Sequence, residues 1–141
     1  MDTRAGKLGE YLEKVLEKLN NDYMTINADF LGLEINNYSL DKIPTISTIE
    51  EDIIGVRTFR DVYSFRSRKP YTSNVLINLK NIGFFEQFES VIRSNNDEGV
   101  LPDIKNIESI RCLNCGTLNK ADPSGKTAEF DIEIEITYKE G

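Results

Sequence analysis

The feature that most constrains this chain is a run near its C-terminus in which apolar and polar residues alternate strictly. Every second residue from Ala128 to Tyr138 is apolar, and the residues between them are Glu129, Asp131, Glu133, Glu135 and Thr137. Successive side chains of a β-strand point to opposite faces, so the pattern predicts a strand with one core face and one acidic face. A turn signal at residues 121–125 and a strand pattern from Ile107 to Leu118 precede it and predict a hairpin.

Two helices are expected to pack on the core face of this sheet. Between Gly6 and Asn20, apolar residues recur at three- and four-residue intervals, at Leu8, Tyr11, Leu12, Val15, Leu16 and Leu19. A second helix is predicted after Pro70, with a cap among Tyr71, Thr72 and Ser73 and an apolar stripe of Val75, Leu76, Leu79 and Ile82. Gly83 predicts a break or a bend before the pattern resumes at Phe84, Phe85, Phe88, Val91 and Ile92.

The remaining segments predict further strands. Residues 24–35 mix β-branched and aromatic side chains and predict a strand, and residues 36–48 predict a surface loop or short strand that could serve as an inter-subunit arm. Between Ile53 and Arg68, Phe59, Tyr63 and Phe65 alternate with charged residues and predict a second long strand. The expected fold is α+β, one domain over residues 1–141, with an antiparallel or mixed sheet flanked by two main helices.

Charge and composition argue against several functional classes. The 141 residues include 24 acidic and 17 basic side chains, a net charge of −7 that disfavours sequence-specific binding of nucleic acid. Histidine and tryptophan are absent, which removes the commonest general base and the commonest neutral metal ligand. No run of about 20 apolar residues predicts a membrane span, and the N-terminus does not resemble a signal peptide.

Three motifs could carry chemistry, and each has a simpler interpretation that we favour. The row Glu129, Asp131, Glu133 and Glu135 could bind a metal, but acidic residues in this pattern more typically form the solvated face of a sheet. If the row lined a channel, its negative charge would let DNA slide through without sticking. Cys112 and Cys115 have the spacing of half a zinc site with no second half, so structural thiols in a reducing cytoplasm are expected. The Gly-Lys-Thr at residues 125–127 lacks the first glycine of a phosphate loop. We therefore predict no metal, no cofactor and no enzymatic activity.

Positive charge is concentrated in the second long strand. The basic residues there are Arg57, Arg60, Arg66, Arg68 and Lys69. They form a candidate subunit interface, in which they would pair with the acidic row of a neighbouring chain. Scattered solubilising charge is an equally good interpretation.

Four segments, at residues 37–45, 60–68, 83–89 and 127–138, resemble the minor capsid proteins of clostridial and related phages. The predicted order of helix, long strands, helix and closing hairpin is similar to the tail-terminator fold. This resemblance implies a structural virion protein that forms a ring, expected to be a hexamer, which caps the tail tube at the neck of the tail. The implied partners are further copies of the chain, the tail tube protein, the head–tail connector and, in a contractile tail, the sheath. Assembly would take place in the host cytoplasm, and genomic DNA would pass through the ring without sequence-specific binding.

Two other functional classes stay open on the sequence. The chain could be a head–tail connector, a stopper or a tail tube subunit, which would differ from a terminator by its position in the particle. It could also be a small metal-binding module or enzyme that uses the cysteines and acidic residues. That interpretation predicts zinc in the purified protein and a loss of stability on chelation.

Overall fold

The computed structural model describes residues 3–19, 25–28, 31, 37–44, 48–51, 53–122 and 126–140. This part of the chain forms an α+β fold of two helices and seven strands, which confirms the predicted class. The elements, in chain order, are α1 (Arg4–Lys18), β1 (Thr25–Ala28), β2 (Asn37–Ile43), β3 (Thr48–Glu51), β4 (Arg57–Pro70), α2 (Val75–Glu98), β5 (Ile107–Cys112), β6 (Thr117–Asp122) and β7 (Thr127–Glu140).

The sheet is built around two long antiparallel strands, β4 and β7. They pair over their whole length, from Arg57 opposite Glu140 to Pro70 opposite Thr127. β2 and β3 follow each other along the outer side of β4, and β5 and β6 do the same along β7. β1 adds to β2 in parallel, so the sheet is mixed. The β6–β7 pair confirms the predicted hairpin, although residues 123–125 of its turn lie outside the described residues.

Both helices contribute to a core on one face of the sheet. Leu8, Leu12 and Leu16 of α1 and Phe85, Phe88 and Ile92 of α2 are buried with apolar residues of the sheet, among them Tyr63, Phe65, Ile132, Ile134 and Ile136. The Phe65 ring stacks between Tyr38 and Phe88, at centroid distances of 5.2 and 5.4 Å. The opposite face carries the acidic residues of β7, as the alternation predicts, and we call it the charged face.

The first helix is confirmed, with a start two residues earlier than expected. Thr3 caps it, because its Oγ1 accepts a hydrogen bond from the Gly6 amide at 3.0 Å. The Tyr11 hydroxyl accepts from Asn95 Nδ2 at 3.1 Å and donates to the Val100 carbonyl at 3.0 Å. This pair of hydrogen bonds joins α1 to the C-terminal end of α2.

The second helix is one uninterrupted element, so of the two alternatives predicted at Gly83 a break into two pieces is wrong and a single helix is right. An interior glycine costs a helix about 1 kcal/mol, and burial of Phe85 and Phe88 on the sheet outweighs that cost. The cap is Asn74, whose Oδ1 accepts from the Leu76 amide at 2.9 Å. Thr72, within the predicted capping segment, accepts from the Asn74 amide at 3.0 Å instead.

The sequence interpretation of residues 36–48 needs a correction. Asn37–Ile43 is a strand that lies between β1 and β4, and its first four residues are buried. The short-strand alternative is therefore right, whereas a surface loop or inter-subunit arm is wrong for these residues. Polar side chains of this segment suggested a turn, but within the strand two of them bond to each other: Ser39 Oγ donates a hydrogen bond to Asp41 Oδ1 at 2.6 Å. Residues 36 and 45–47 of the predicted segment lie outside the described residues.

Two other predicted strands differ in extent. Within residues 24–35, the described strand is Thr25–Ala28, and residues 24, 29, 30 and 32–35 lie outside the described part. The region from Ile107 to Leu118 is divided into β5 and β6 by a bend. At this bend Gly116 has a φ of +90°, and a Cβ there would lie 2.5 Å from Cγ of Phe85. A glycine is required because α2 packs directly against the bend.

Candidate assembly surfaces

The charged face brings the arginines of β4 and the acidic row of β7 together within one chain. Strand register places Arg66 opposite Asp131 and Arg68 opposite Glu129. The long Arg66 side chain reaches diagonally, so that its Nη1 lies 3.0 Å from Oε1 of Glu129, and it also pairs with Asp41 on β2. The ion pairs therefore cross three neighbouring strands.

Glu135 is the most enclosed member of the acidic row, with only 6% of its surface exposed. Its two carboxylate oxygens accept from Arg111 Nε at 2.8 Å and from Arg60 Nη1 at 3.3 Å. Farther along the row, Asp131 accepts from the Ser64 hydroxyl at 3.0 Å. The four acidic residues do share one face, as predicted, but the expectation of a simply solvated row is wrong for Glu135.

The five basic residues of the candidate interface do not form one surface. Arg60, Arg66 and Arg68 lie on the charged face, whereas Arg57 is exposed at the start of β4 and Lys69 is buried on the helix-covered face. Lys69 is therefore not accessible to a neighbouring subunit. Arg60 and Arg66 have acidic partners in their own chain, whereas the sequence predicted that these partners would belong to a neighbouring chain. Sequence reasoning could not find this because β4 and β7 are separated by α2, β5 and β6.

Lys69 has an unusual environment for a lysine. Its Nζ donates a hydrogen bond to the Tyr38 hydroxyl at 2.6 Å and lies 3.6 Å from the centre of the Phe84 ring. Burial lowers the pKa of Lys69 to about 7, because an enclosed site disfavours the charged amine. A cation over an aromatic face is stabilised, which offsets part of that penalty.

Asp61 is the centre of a polar cluster that the sequence did not reveal. The residue is 1% exposed, and its carboxylate accepts from Arg4 Nε at 2.7 Å and from the Tyr63 and Tyr138 hydroxyls at 3.2 Å each. Burial alone would raise the pKa of Asp61, but Arg4 and Lys42 outweigh burial and hold that pKa below its usual value. The partners come from α1, β2, β4 and β7, so no local spacing signals the cluster.

The two cysteines lie in different environments, and only Cys112 is in part enclosed as a structural thiol was expected to be. Cys112 is partly buried at the end of β5, and burial raises the pKa of its thiol to about 12, while Cys115 is exposed in the bend that follows. Among the residues that the structure describes, no group of three or more Cys, Asp or Glu side chains is arranged to hold a metal ion. At the Gly-Lys-Thr motif, Thr127 begins a strand, as expected from the sequence.

The N-terminal half of α2 leaves an apolar surface in water. Val75, Leu76, Leu79 and Ile82 are between 54% and 70% exposed, and we call these four residues the α2 stripe. They form the helical stripe that was predicted, but it faces away from the core. Asn81 takes a buried position instead, where its Nδ2 donates to the Pro70 carbonyl at 2.7 Å.

A second exposed apolar surface lies at the turn between β3 and β4. Ile53 is fully exposed and Ile54 is 81% exposed, and we call this pair the Ile tip. The Ile tip precedes the first residue of β4, and the α2 stripe begins five residues after its last residue. Since β4 is 14 residues long, the two apolar surfaces lie at opposite ends of a strand of about 46 Å.

Comparison with protein-family models finds no match for this chain, and comparison with curated proteins finds no significantly similar sequence. Within the described residues, neither helix is long and apolar enough to cross a membrane.

Proposed function

We propose that this chain is a structural subunit of a phage tail, a tail terminator that assembles into a ring on the end of the tail tube. The ring would join the tail to the head connector at the neck of the virion. The resemblance of four segments to phage minor capsid proteins suggests this role. The observation that carries it is the α2 stripe, an aliphatic surface that the folded chain leaves in water.

The size of the stripe favours an assembly role over chance exposure. Full burial of one aliphatic side chain contributes about 1.5–3 kcal/mol, so four side chains that are half to two-thirds exposed offer several kcal/mol to a partner. Exposed apolar side chains on monomers are usually scattered singly, and contiguous patches mark interaction sites. Here the four residues follow helical spacing on one surface of α2. They therefore form one contiguous contact surface.

The charged face fits the passage of DNA through such a ring. Arg60 and Arg66 on this face are engaged by carboxylates of the same chain, and the protein carries a net charge of −7. A surface with internally paired charges has little positive potential to offer to phosphate groups. The proposed subunit would thus contact passing DNA without holding it.

The first experiment measures the mass of the purified protein by light scattering and images the same sample by electron microscopy. A six-fold ring is the expected result. A monomer would be incubated with tail tubes that lack caps, because the tube end can act as the template for assembly. A protein that neither forms rings nor binds tube ends would contradict the proposal.

The position and copy number in the virion separate the terminator from its closest alternatives. A terminator is expected as one ring between the last tube layer and the connector. A tube subunit would repeat along the tail, and a stopper would lie on the head side of the joint. Cryo-electron microscopy of virions, together with quantitative mass spectrometry of copies per particle, distinguishes the three.

A further inference from the structure

We infer that a small cavity beside the start of α1 binds the phosphate group of a small molecule. The cavity has a volume of about 180 Å³ and lies between α1, the segment that joins α2 to β5, and the end of β7. None of its lining residues belongs to the α2 stripe, the Ile tip or the acidic row, so the inference does not depend on the proposed tail function. The lining residues are Arg4, Lys7, Asp103, Ile104, Lys105, Tyr138 and Glu140.

Arg4 is held in a fixed position at this cavity by the chain itself. Its Nε donates to the buried Asp61 carboxylate at 2.7 Å, and its guanidinium carbon lies 4.6 Å from the centre of the Tyr138 ring. Tyr138 is fixed in turn, because its hydroxyl donates to Asp61 and its ring stacks on Phe59 at 5.7 Å. A guanidinium that is already ordered loses little further freedom when it binds a ligand.

The two Nη groups of Arg4 are the donors that this arrangement leaves for a ligand. Within the described residues, Asp61 is the one hydrogen-bond acceptor of the Arg4 side chain, and that bond uses Nε. The side chain is 40% exposed and lines the cavity, so its other N–H groups remain accessible. A planar guanidinium can donate two parallel hydrogen bonds to a phosphate group, and such charge-assisted bonds are about twice as strong as neutral ones.

Lys7 adds a second positive charge from the next turn of α1. Its Nζ lies 3.6 Å from Asp103 Oδ2 and 4.0 Å from Glu10 Oε2. These are long contacts to carboxylates that are themselves well exposed, and exposed ion pairs contribute about 0–1 kcal/mol. A phosphate oxygen in the cavity can therefore replace them as the partner of Lys7.

Lys105 supplies the third positive charge from the segment before β5. The residue is exposed and forms no ion pair with any other described residue. Hydrogen bonds of the backbone anchor the turn that carries it: the Ile104 amide donates to the Pro102 carbonyl at 2.8 Å, and the Lys139 amide donates to the Asn106 carbonyl at 3.1 Å. This wall of the cavity is thus tied to β7.

Two carboxylates, Asp103 and Glu140, also line the cavity and reduce its positive charge. Both are exposed, so water solvates them, and the three cationic side chains outnumber them. The other acidic residues of the chain are screened beyond about 8 Å at physiological ionic strength. Asp103 competes with a ligand for Lys7, so its removal should strengthen binding of an anion.

The size of the cavity and the placement of its donors favour phosphate over other anions. The volume corresponds to roughly six water molecules, which leaves room for a phosphate group and part of the molecule that carries it. The oxygens of a phosphate group diverge, so they can meet cations on different walls. A carboxylate presents two oxygens in one plane, and a single arginine can satisfy both.

The test titrates the isotope-labelled full chain at constant ionic strength, set with sodium chloride, and follows its amide signals by NMR. The probes are inorganic phosphate, glycerol phosphate and, as the carboxylate, acetate. Saturable shifts at Arg4, Lys7 and Lys105 are expected with both phosphates, with dissociation constants in the millimolar range or tighter. Acetate should bind at least about fivefold more weakly. Tighter binding of glycerol phosphate would identify an organic phosphate as the ligand, and tighter binding of the free ion would identify inorganic phosphate.

Three variants test the assigned residues, with Lys80→Ala at an exposed lysine of α2 as the matched control. Lys105→Ala should weaken phosphate binding about threefold, and Arg4→Lys about tenfold, because lysine keeps the charge and loses the paired donors. Asp103→Asn should strengthen binding about threefold, because one opposing charge is removed. Circular dichroism verifies that each variant folds, which matters most for Arg4→Lys because Arg4 also contacts Asp61.

Several results would overturn the inference. Shifts that rise linearly with concentration, or that chloride alone reproduces, would mean that phosphate acts only through ionic strength. Binding that Lys105→Ala weakens no more than Lys80→Ala, or that Asp103→Asn weakens, would place the anion elsewhere. Equal affinity for acetate and phosphate would show that the cavity does not select a phosphate group.

Discussion

The charged face and the α2 stripe differ in whether their side chains find partners within the chain. On the charged face, Arg60 and Arg66 contact carboxylates of the same sheet, and Glu135 is nearly enclosed by two arginines. On the stripe, four aliphatic side chains project from α2 into water. The charged face, which the sequence predicts as a subunit interface, thus has many of its charges paired within the chain. The α2 stripe, which the sequence predicts only as one side of a helix, leaves apolar surface exposed for a partner.

This contrast teaches that a row of charges is a weak guide to an interface. A charge that is paired within its own chain contributes little more by meeting another chain, and ion pairs at exposed positions contribute about 0–1 kcal/mol. Aliphatic surface contributes to association in proportion to the area removed from water. The four predictions that follow test this contrast, in order of decreasing effect.

The largest effect is expected for Asp61→Asn, which removes the carboxylate at the centre of the buried cluster. Arg4 is itself 40% exposed, but the Tyr63 and Tyr138 hydroxyls also lose a charged acceptor at a buried position, so the free energy of unfolding should fall by about 3 kcal/mol. The folded-state pKa of Asp61 is depressed, so its contribution is present above the unfolded pKa of about 4 and is lost as pH falls through the folded value. Urea unfolding from pH 7 to pH 3 measures both effects.

Asp103→Asn is the control for Asp61→Asn, because that carboxylate is almost fully exposed and lies 3.6 Å from Lys7. It should change stability by less than about 0.5 kcal/mol. If the two variants lose the same stability, the hydrogen bonds and ion pairs of the Asp61 cluster do not stabilise the folded chain more than an exposed pair does.

The second effect concerns Lys69, whose folded-state pKa is lowered to about 7 by burial. The unfolded chain binds more protons than the folded chain between that pKa and the usual lysine value, so stability should rise by about 2 kcal/mol from pH 7 to pH 9. Lys69→Met should remove that rise, because methionine carries no proton. Lys80→Met, at an exposed lysine of α2, should leave the rise in place. Equal curves for the wild type and Lys69→Met would show that the buried amine does not titrate in this window.

A third, smaller effect is expected for Glu135→Gln on the charged face. The variant loses charge-assisted hydrogen bonds to Arg60 and Arg111, but both arginines are partly exposed and can be solvated. We therefore expect a loss of about 1 kcal/mol in the free energy of unfolding, with ring formation intact. Glu108→Gln, at an exposed pair with Lys139, is the control. Loss of ring formation without loss of stability in Glu135→Gln would instead make the charged face the interface.

The smallest effect on stability is expected for Leu79→Gln in the α2 stripe. The side chain is 54% exposed, and glutamine is a good helix former, so the free energy of unfolding should change by less than about 0.5 kcal/mol. Self-association should nevertheless weaken, because the leucine is part of the apolar contact. Thermal unfolding at low concentration and sedimentation at high concentration separate the two quantities. A large loss of stability in dilute protein would mean that Leu79 belongs to the core of the single chain.

Much of the fold could be predicted from the sequence because its elements carry strong local periods. The alternation from Ala128 to Tyr138 specified β7 and its two faces, and the spacing of Leu8, Leu12 and Leu16 specified α1. The α+β class and the β6–β7 hairpin follow from such patterns. Element boundaries were less certain: α2 passes through Gly83 because its neighbours are held by the sheet.

The candidate surfaces were harder to predict, since a helical period does not say which side of a helix meets the core. In α2 the apolar residues change sides along the helix: the stripe from Val75 to Ile82 is exposed, and Phe85, Phe88 and Ile92 are buried. The Asn81 side chain takes an inward position near Pro70 because a backbone carbonyl there accepts its hydrogen bond. No sequence pattern shows that partner in advance.

What the sequence by itself determined was therefore the local geometry, through side chains that repeat with the period of a strand or a helix. The tertiary structure alone decided which charges are paired, because Arg60 meets Glu135 across 75 residues of chain and Arg4 meets Asp61 across 57. It also decided that the α2 stripe and the Ile tip lie at opposite ends of β4. Pairing and exposure depend on which segments become neighbours in space, and neighbours far apart along the chain are set by the packing of the whole fold.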